Sequence, residues 1–153
     1  PSNSSAASDV YKRQELTSRF DAALRYQFKD IVFEKTKFKG KYGKFGEILL
    51  EDNTTIGKFD FSKGIVELDK EGVEIYAKKG ESYIVKLEDF ELKGDNIFVG
   101  GVVEASECIA PRDFVVCIDS TDMPVCTGFA MVSGKDMCEL PHGVAVKVKK
   151  KFR

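Results

Sequence analysis

Apolar residues along this chain recur mostly at every second position, in short runs separated by glycine, proline and Asp/Asn turns. That rhythm predicts strands more often than helices. The clearest exception lies near the start, where Leu16, Phe20, Ala23, Leu24 and Phe28 stand three and four apart, one face of an amphipathic helix. Residues 35–46, KTKFKGKYGKFG, then alternate lysine with Phe and Tyr and are broken by Gly40, Gly43 and Gly46, as in a twisted β-hairpin with lysines at its tip. Short strands follow in GEILLED, closed by Asp52-Asn53, in TIGKFDF, closed by Ser62-Lys63-Gly64, and in IVELD, which runs toward a break at Lys70-Glu71-Gly72. VEIYAK reads equally as helix or strand.

The second half carries more signals. YIVKLEDFEL alternates as a strand, and the turn Lys93-Gly94-Asp95-Asn96 leads into IFVGGVVEA, where an apolar strand meets Gly100-Gly101 and a short helical stretch, VVEASE. Pro111 opens a tight connection into the buried strand DFVVCID, whose hairpin partner is PVCTGFAMV. Ser133 caps a short helix, SGKDMCEL, with Asp136 as the reciprocal acid, and Pro141 stops it. In the last strand, GVAVKVKKKF, Val144, Val146 and Val148 face one way and Ala145, Lys147 and Lys149 the other. The expected fold is a small α+β unit, residues 15–79, followed by a mixed β pseudo-barrel, residues 80–153, with a seam at Lys78-Lys79-Gly80-Glu81.

Composition narrows the function classes. The 153 residues carry 24 basic and 25 acidic side chains, a net charge of −1, so any nucleic-acid partner has to be attracted by local clustering. No run approaches the roughly 18 apolar residues of a membrane span, and no basic-then-apolar leader is present, so a cytoplasmic location without a membrane partner is expected. Cys108, Cys117, Cys126 and Cys138 lack the spacing of a zinc knuckle and the only histidine is His142, so the cysteines read as reduced, small apolar residues and no metal or cofactor is expected. Residues 1–14, PSNSSAASDVYKRQ, are Ser/Ala-rich, without periodicity, and resemble a translated sequencing-adapter read-through. On that reading the segment is foreign and the chain is expected to be the C-terminal piece of something longer; the alternative is an ordinary disordered tail.

The order KGDNIFVGGVVEA, IAPRDFVVCID, MPVCTGFAMVSGKDM and HGVAVKVKKK resembles the PUA domain, a pseudo-barrel RNA-binding module. Upstream, Arg25-Tyr26-Gln27-Phe28, the basic hairpin and Lys70-Glu71-Gly72-Val73 resemble the small patch-forming domain that precedes the PUA domain in archaeosine tRNA-guanine transglycosylases of archaea. Archaeosine synthases have a similar tail. The resemblance implies a tRNA-binding module. Its PUA half would take the acceptor stem and 3′ end, its first half would help place the D-arm, and a transglycosylase catalytic domain in cis or in trans would exchange the D-loop guanine. The chain itself is expected not to catalyse, since it lacks the roughly 250 residues of an α/β barrel and a His/Cys zinc cluster. The alternatives are the tail of an archaeosine synthase, or a stand-alone PUA protein of ribosome assembly or pseudouridylation.

The residues expected to touch RNA fall in three groups. Gly100 and Gly101, followed by Val102 as a further contact, form a bend with no Cβ in the way, able to admit a phosphate or the backbone of a 3′ end. Lys147 and Lys149, with Lys93 and Lys135, supply salt-dependent attraction to phosphates. Lys37, Lys39, Lys41 and Lys44 flank Tyr42 in the hairpin, cations beside a ring that can stack on a base. The acids Glu88, Asp89, Glu91, Asp119 and Asp122 read as solubilising, and His142 as a turn residue.

Overall fold

The computed structural model describes residue 27 and residues 37–39, 45–50, 52–60, 63–80, 82–89 and 91–153. Segment 1–14, the expected first helix apart from Gln27, and the hairpin tip at residues 40–44 lie outside them. Strands β1 (Lys37–Lys39), β2 (Phe45–Leu49), β3 (Thr55–Asp60) and β4 (Ile65–Leu68) form an antiparallel meander in chain order. Lys37 stands opposite Leu49 and Lys39 opposite Glu47, so the arms of the expected basic hairpin do pair.

Helix α1 (Lys70–Lys79) follows β4 directly and settles VEIYAK as helical. Asp69 is extended at its N-cap, Glu71 lies in the first turn, and Lys78 and Lys79 in the last, charges that complement the helix dipole. Val73 and Tyr76, three apart, are fully buried. The expected break at Gly72 is therefore replaced by the first turn of the helix. Gly72 serves close packing there, because a Cβ would run into the backbone oxygen of Ile56 on β3.

The second sheet runs β6-β10-β9-β8-β5-β7, with β5 (Ile84–Leu87) parallel to β8 (Phe114–Ile118) and every other pair antiparallel. β6 (Asn96–Phe98), β7 (Val102–Ala105), β9 (Pro124–Ala130) and β10 (Val144–Lys151) complete a mixed sheet curled into a half-barrel. All five residues of β8 are buried, as its β-branched run requires of a central strand. Helix α2 (Gly134–Glu139) packs on β7, and the Ser133 hydroxyl accepts the Asp136 amide at 3.1 Å, the cap read from the sequence. Both sheets feed one apolar cluster that includes Ile48, Val66 and Tyr76 from the first half and Val85, Val115 and Val146 from the second.

Three expectations are corrected here. VVEASE is not helical: only Val99–Gly101 turns, as a short 3-10 helix, and Val102–Ala105 is strand β7. The β-branched pair Val102-Val103 favours this, and β5 offers it a partner, with Leu87 opposite Val102 and Val85 opposite Ala105. The last strand does not alternate strictly, because its register with β6 slips between Val144 and Val146. One extra residue reverses the faces beyond it, so Val144 shares a face with Lys147, while Ala145 is fully buried. The cysteines divide. All four are free, but only Cys117 and Cys126 are buried, as cross-strand partners, and Cys138 is exposed. The hydrogen bond to Cys126, reinforced by burial, holds the Cys117 thiol well above the usual thiol range.

Gln27 explains part of the Arg-Tyr-Gln-Phe segment. Its side-chain amide donates to the Val66 carbonyl at 2.7 Å, and its oxygen accepts the Val66 amide at 2.8 Å. The side chain thus satisfies both backbone groups of a fully buried residue on edge strand β4. Gln27→Leu is expected to cost about 2 kcal/mol by orphaning that pair. Gly72→Ala is expected to cost about 1–3 kcal/mol by forcing α1 off β3. Thermal or urea unfolding of the two variants checks both values.

Candidate nucleic-acid interface

The register of the β6–β10 edge sorts its side chains. Ile97 pairs with Val146, and both are fully buried. On the opposite face, Phe98 pairs with Val144 and Asn96 with Lys147, and of these four only Val144 is partly covered. Phe98 retains 58% of its surface. The outer face of this edge therefore shows a ring, an amide and a cation in one short row. The 3-10 turn carrying Gly100 and Gly101 follows at once, tied to the next loop by the Val99 amide donating to Gly143 O at 2.9 Å.

Gly100 differs from seven other described glycines. A Cβ at Gly57, Gly72, Gly128 or Gly134 would strike backbone, and Gly64, Gly94 and Gly143 have positive φ. A Cβ at Gly100 would meet nothing within 4 Å, and no positive φ demands glycine there. Neither folding nor packing asks for glycine at this exposed site. Its neighbours are engaged internally: Gly101 O accepts the Glu88 amide at 3.0 Å, and the Val102 amide closes the turn onto Val99 O.

Ion pairs divide the C-terminal charge run. Lys150 reaches Asp69 at 2.8 Å, joining β10 to the start of α1, and Lys151 lies 3.8 Å from Asp95. Arg153 pairs with Asp119. Among the described residues Lys93, Lys135, Lys147 and Lys149 have no ion-pair partner, and all four are exposed. Lys149 is the extra residue of a second bulge in β10, between Val148 and Lys150. The structure thus joins Gly100, Gly101, Val102 and Lys147 through β6, and places Lys149 two residues further along β10. Lys93 stands in the turn before β6, and Lys135 in α2 beside β7. Of the hairpin residues, Lys37 and Lys39 lie on β1, and Lys41, Tyr42 and Lys44 are outside the described residues.

Two features escaped the sequence reading. Phe98 looked like one more apolar residue of a strand. Nothing local shows that this edge strand turns it outward. Asp119 was read as solubilising, yet its carboxylate is buried and accepts the Thr121 amide at 2.9 Å, the Thr121 hydroxyl at 2.7 Å and the Met123 amide at 3.0 Å, besides Arg153. The run Asp-Ser-Thr-Asp after a buried strand was the available signal, since aspartate commonly bonds the backbone two residues on. A cleft of about 550 Å³ opens beside Asp119, bordered by Asp89, Glu91 and Arg153. Lys86 pairs with Asp122 at 3.3 Å, so that acid is engaged as well. His142 is exposed in the loop before β10.

The curled mixed sheet carries a glycine turn and a lysine-bearing last strand, and residues 86–152 match the family model of the PUA domain. This part of the chain is a PUA domain, which is an RNA-binding domain. The chain is homologous to the C-terminal regions of two kinds of archaeal protein. It is 29% identical over 140 residues to archaeosine synthase subunit alpha of Thermoplasma acidophilum, covering 86% of this chain and 26% of the relative. It is 35% identical over 63 residues to the tRNA-guanine(15) transglycosylase of Thermococcus onnurineus, covering 41% of this chain and 11% of the relative. The chain thus spans about a quarter or less of these relatives. A crystal structure of a protein of unknown function, 34% identical, superposes with a TM-score of 0.66 over 86% of this chain and 45% of its own.

Asp119→Ala is expected to lower stability by about 1.5–3 kcal/mol, since it removes a charged acceptor from two amides and a hydroxyl. Arg153→Gln, changing a half-exposed partner, should cost less than about 1 kcal/mol. Chemical unfolding of both variants gives the comparison.

Proposed function

We propose that this chain is a non-catalytic tRNA-binding module that presents tRNA to a modification enzyme of the archaeosine pathway, acting from the cytoplasm. The observation that carries the reading is Gly100, an exposed glycine that the fold does not require, set where a phosphate backbone can approach main chain without meeting a side chain. Lys147 and Lys149, left without acids when Lys150, Lys151 and Arg153 are paired, supply the attraction. In this reading the PUA half grips the acceptor stem and 3′ end largely by shape, as A-form RNA demands. The β1–β2 hairpin, with Lys37, Lys39, Lys41, Tyr42 and Lys44, faces the D-arm.

Two enzymes compete for the module. Transglycosylase, with a guanine-exchanging catalytic domain in cis or in trans, is the first reading. Alignments with archaeosine synthase subunit alpha run over 56–86% of this chain and those with transglycosylases over 39–58%, overlapping ranges in which the longest alignment is to a synthase. One relative is named for archaeosine synthesis and the other for transglycosylation of a tRNA guanine, and what both share with this chain is the module. Its task is then to read something common to both substrates, which the tRNA body is and the reacting base is not.

The purified chain is expected to bind tRNA with an affinity that falls steeply as salt rises, and to bind duplex DNA more weakly. Lys147→Gln with Lys149→Gln should flatten the salt slope by roughly 0.7–0.9 per lysine removed. Gly100→Val should weaken RNA binding while leaving unfolding within about 0.5 kcal/mol of the wild type. Equal affinity for DNA, or unchanged binding in Gly100→Val, would overturn the assignment.

A further inference from the structure

Exposed apolar residues on the described surface are Phe98, Val103, Met123, Met131 and Leu140, and Phe98 is the one ring among them. A single exposed apolar residue is ordinary on a protein surface. Phe98 is not isolated in this sense. Its cross-strand partner is Val144, a β-branched neighbour at the side of the ring. Two ladder positions along the same face are Asn96 and the unpaired Lys147. Because of the bulge, Val144 to Lys147 spans only the two-residue step from Phe98 to Asn96, roughly 7 Å, so a cation stands a short reach from the ring. Two residues past Phe98 in the other direction is Gly100, with open space over its Cα.

A duplex offers this row only phosphates and sugars, since its bases are stacked away from an outside ring. An unpaired nucleotide offers a π-face to the ring and a phosphate to the lysine. The face therefore fits a splayed base better than a helix. We propose that Phe98, supported by Val144, is the platform on which an unpaired base of the bound RNA stacks, with Lys147 holding a neighbouring phosphate. Phe98 is then the residue that makes the module prefer a single-stranded end to a blunt stem. This rests on the RNA-binding reading and adds a base-contacting residue to it.

The test uses the full chain and two RNA hairpins with the same stem, one blunt and one with a short unpaired 3′ extension carrying 2-aminopurine. Wild type should bind the extended hairpin more tightly and quench its fluorescence by stacking. Phe98→Ala should weaken binding of the extended hairpin by about 5- to 150-fold, abolish the quenching and leave blunt-hairpin affinity unchanged. Phe98→Tyr should restore both, and Phe98→Leu neither, because the ring and not its apolar bulk is what acts. Matching thermal melts are expected, since more than half of the side chain is exposed. If Phe98→Ala weakens both hairpins equally or neither, or if Phe98→Leu binds as Phe98→Tyr does, stacking is excluded while RNA binding stands. Loss of binding in Gly100→Val shows the latter. If wild type binds neither hairpin, the RNA reading and this inference fall together. Should Phe98→Ala instead abolish a concentration-dependent dimer seen by sedimentation, the face belongs to a second copy and the inference is wrong.

Discussion

Strand β10 carries two ladders at once, to β6 on one side and β9 on the other, and each ladder slips by a residue at a different place. The slip at Ala145 lets one short segment bury both Ala145 and Val146 and still turn Val144 outward. The slip at Lys149 turns Lys150 toward Asp69 at the head of α1. An unbulged strand would hold one face in the core and one in water along its whole length. Here the same eight residues seal the half-barrel, reach the head of α1 and leave Lys147 one ladder step from Phe98.

The charge pattern follows from that geometry. A net charge of −1 conceals a surface in which, among the described residues, Lys150, Lys151 and Arg153 are paired with acids while Lys147 and Lys149 are not. The pairs themselves contribute little energy. Lys150 and Lys151 are partly exposed, and such pairs are worth at most about 1 kcal/mol. The two sheets are held by their shared apolar cluster, and by Tyr76, whose hydroxyl donates to Ser82 O at 2.6 Å as the chain leaves α1. The ion pairs decide instead which lysines are available to a ligand, and that partition is the part of the site composition cannot show.

Much of the fold was legible because it is written locally. The run FVVCI between Pro111 and the Asp-Ser-Thr-Asp turn is a central strand, and Ser133 announces its helix three residues ahead of the amide it caps. The failures share one cause, tertiary contact deciding between local options. Gly72 reads as a break until β3 is seen lying against it, and Val102-Val103 reads as helix until β5 supplies a partner. The Gln27 amide completes a ladder thirty-nine residues away in sequence. Of the candidate site, Gly100 and Lys147 were legible as a glycine bend and a basic strand. Phe98 was not, because an apolar residue in a strand reads as core unless the strand is known to be an edge.

An edge strand with an exposed ring is a hazard, since unpaired backbone and apolar surface together invite pairing with another chain. This edge is blunted in ways that leave the ring uncovered. β6 is only three residues long and is ended by the 3-10 turn, so little ladder is offered to a stranger. Asn96 and Lys147 make the rest of its outer face polar. A lysine at position 98 would have blunted the edge as well, without the cost of hydrating a ring. Keeping an aromatic residue where a charge would serve the fold better, next to a glycine that the fold does not need, puts two departures from structural economy within three residues, and a ligand that stacks on one and approaches over the other accounts for both.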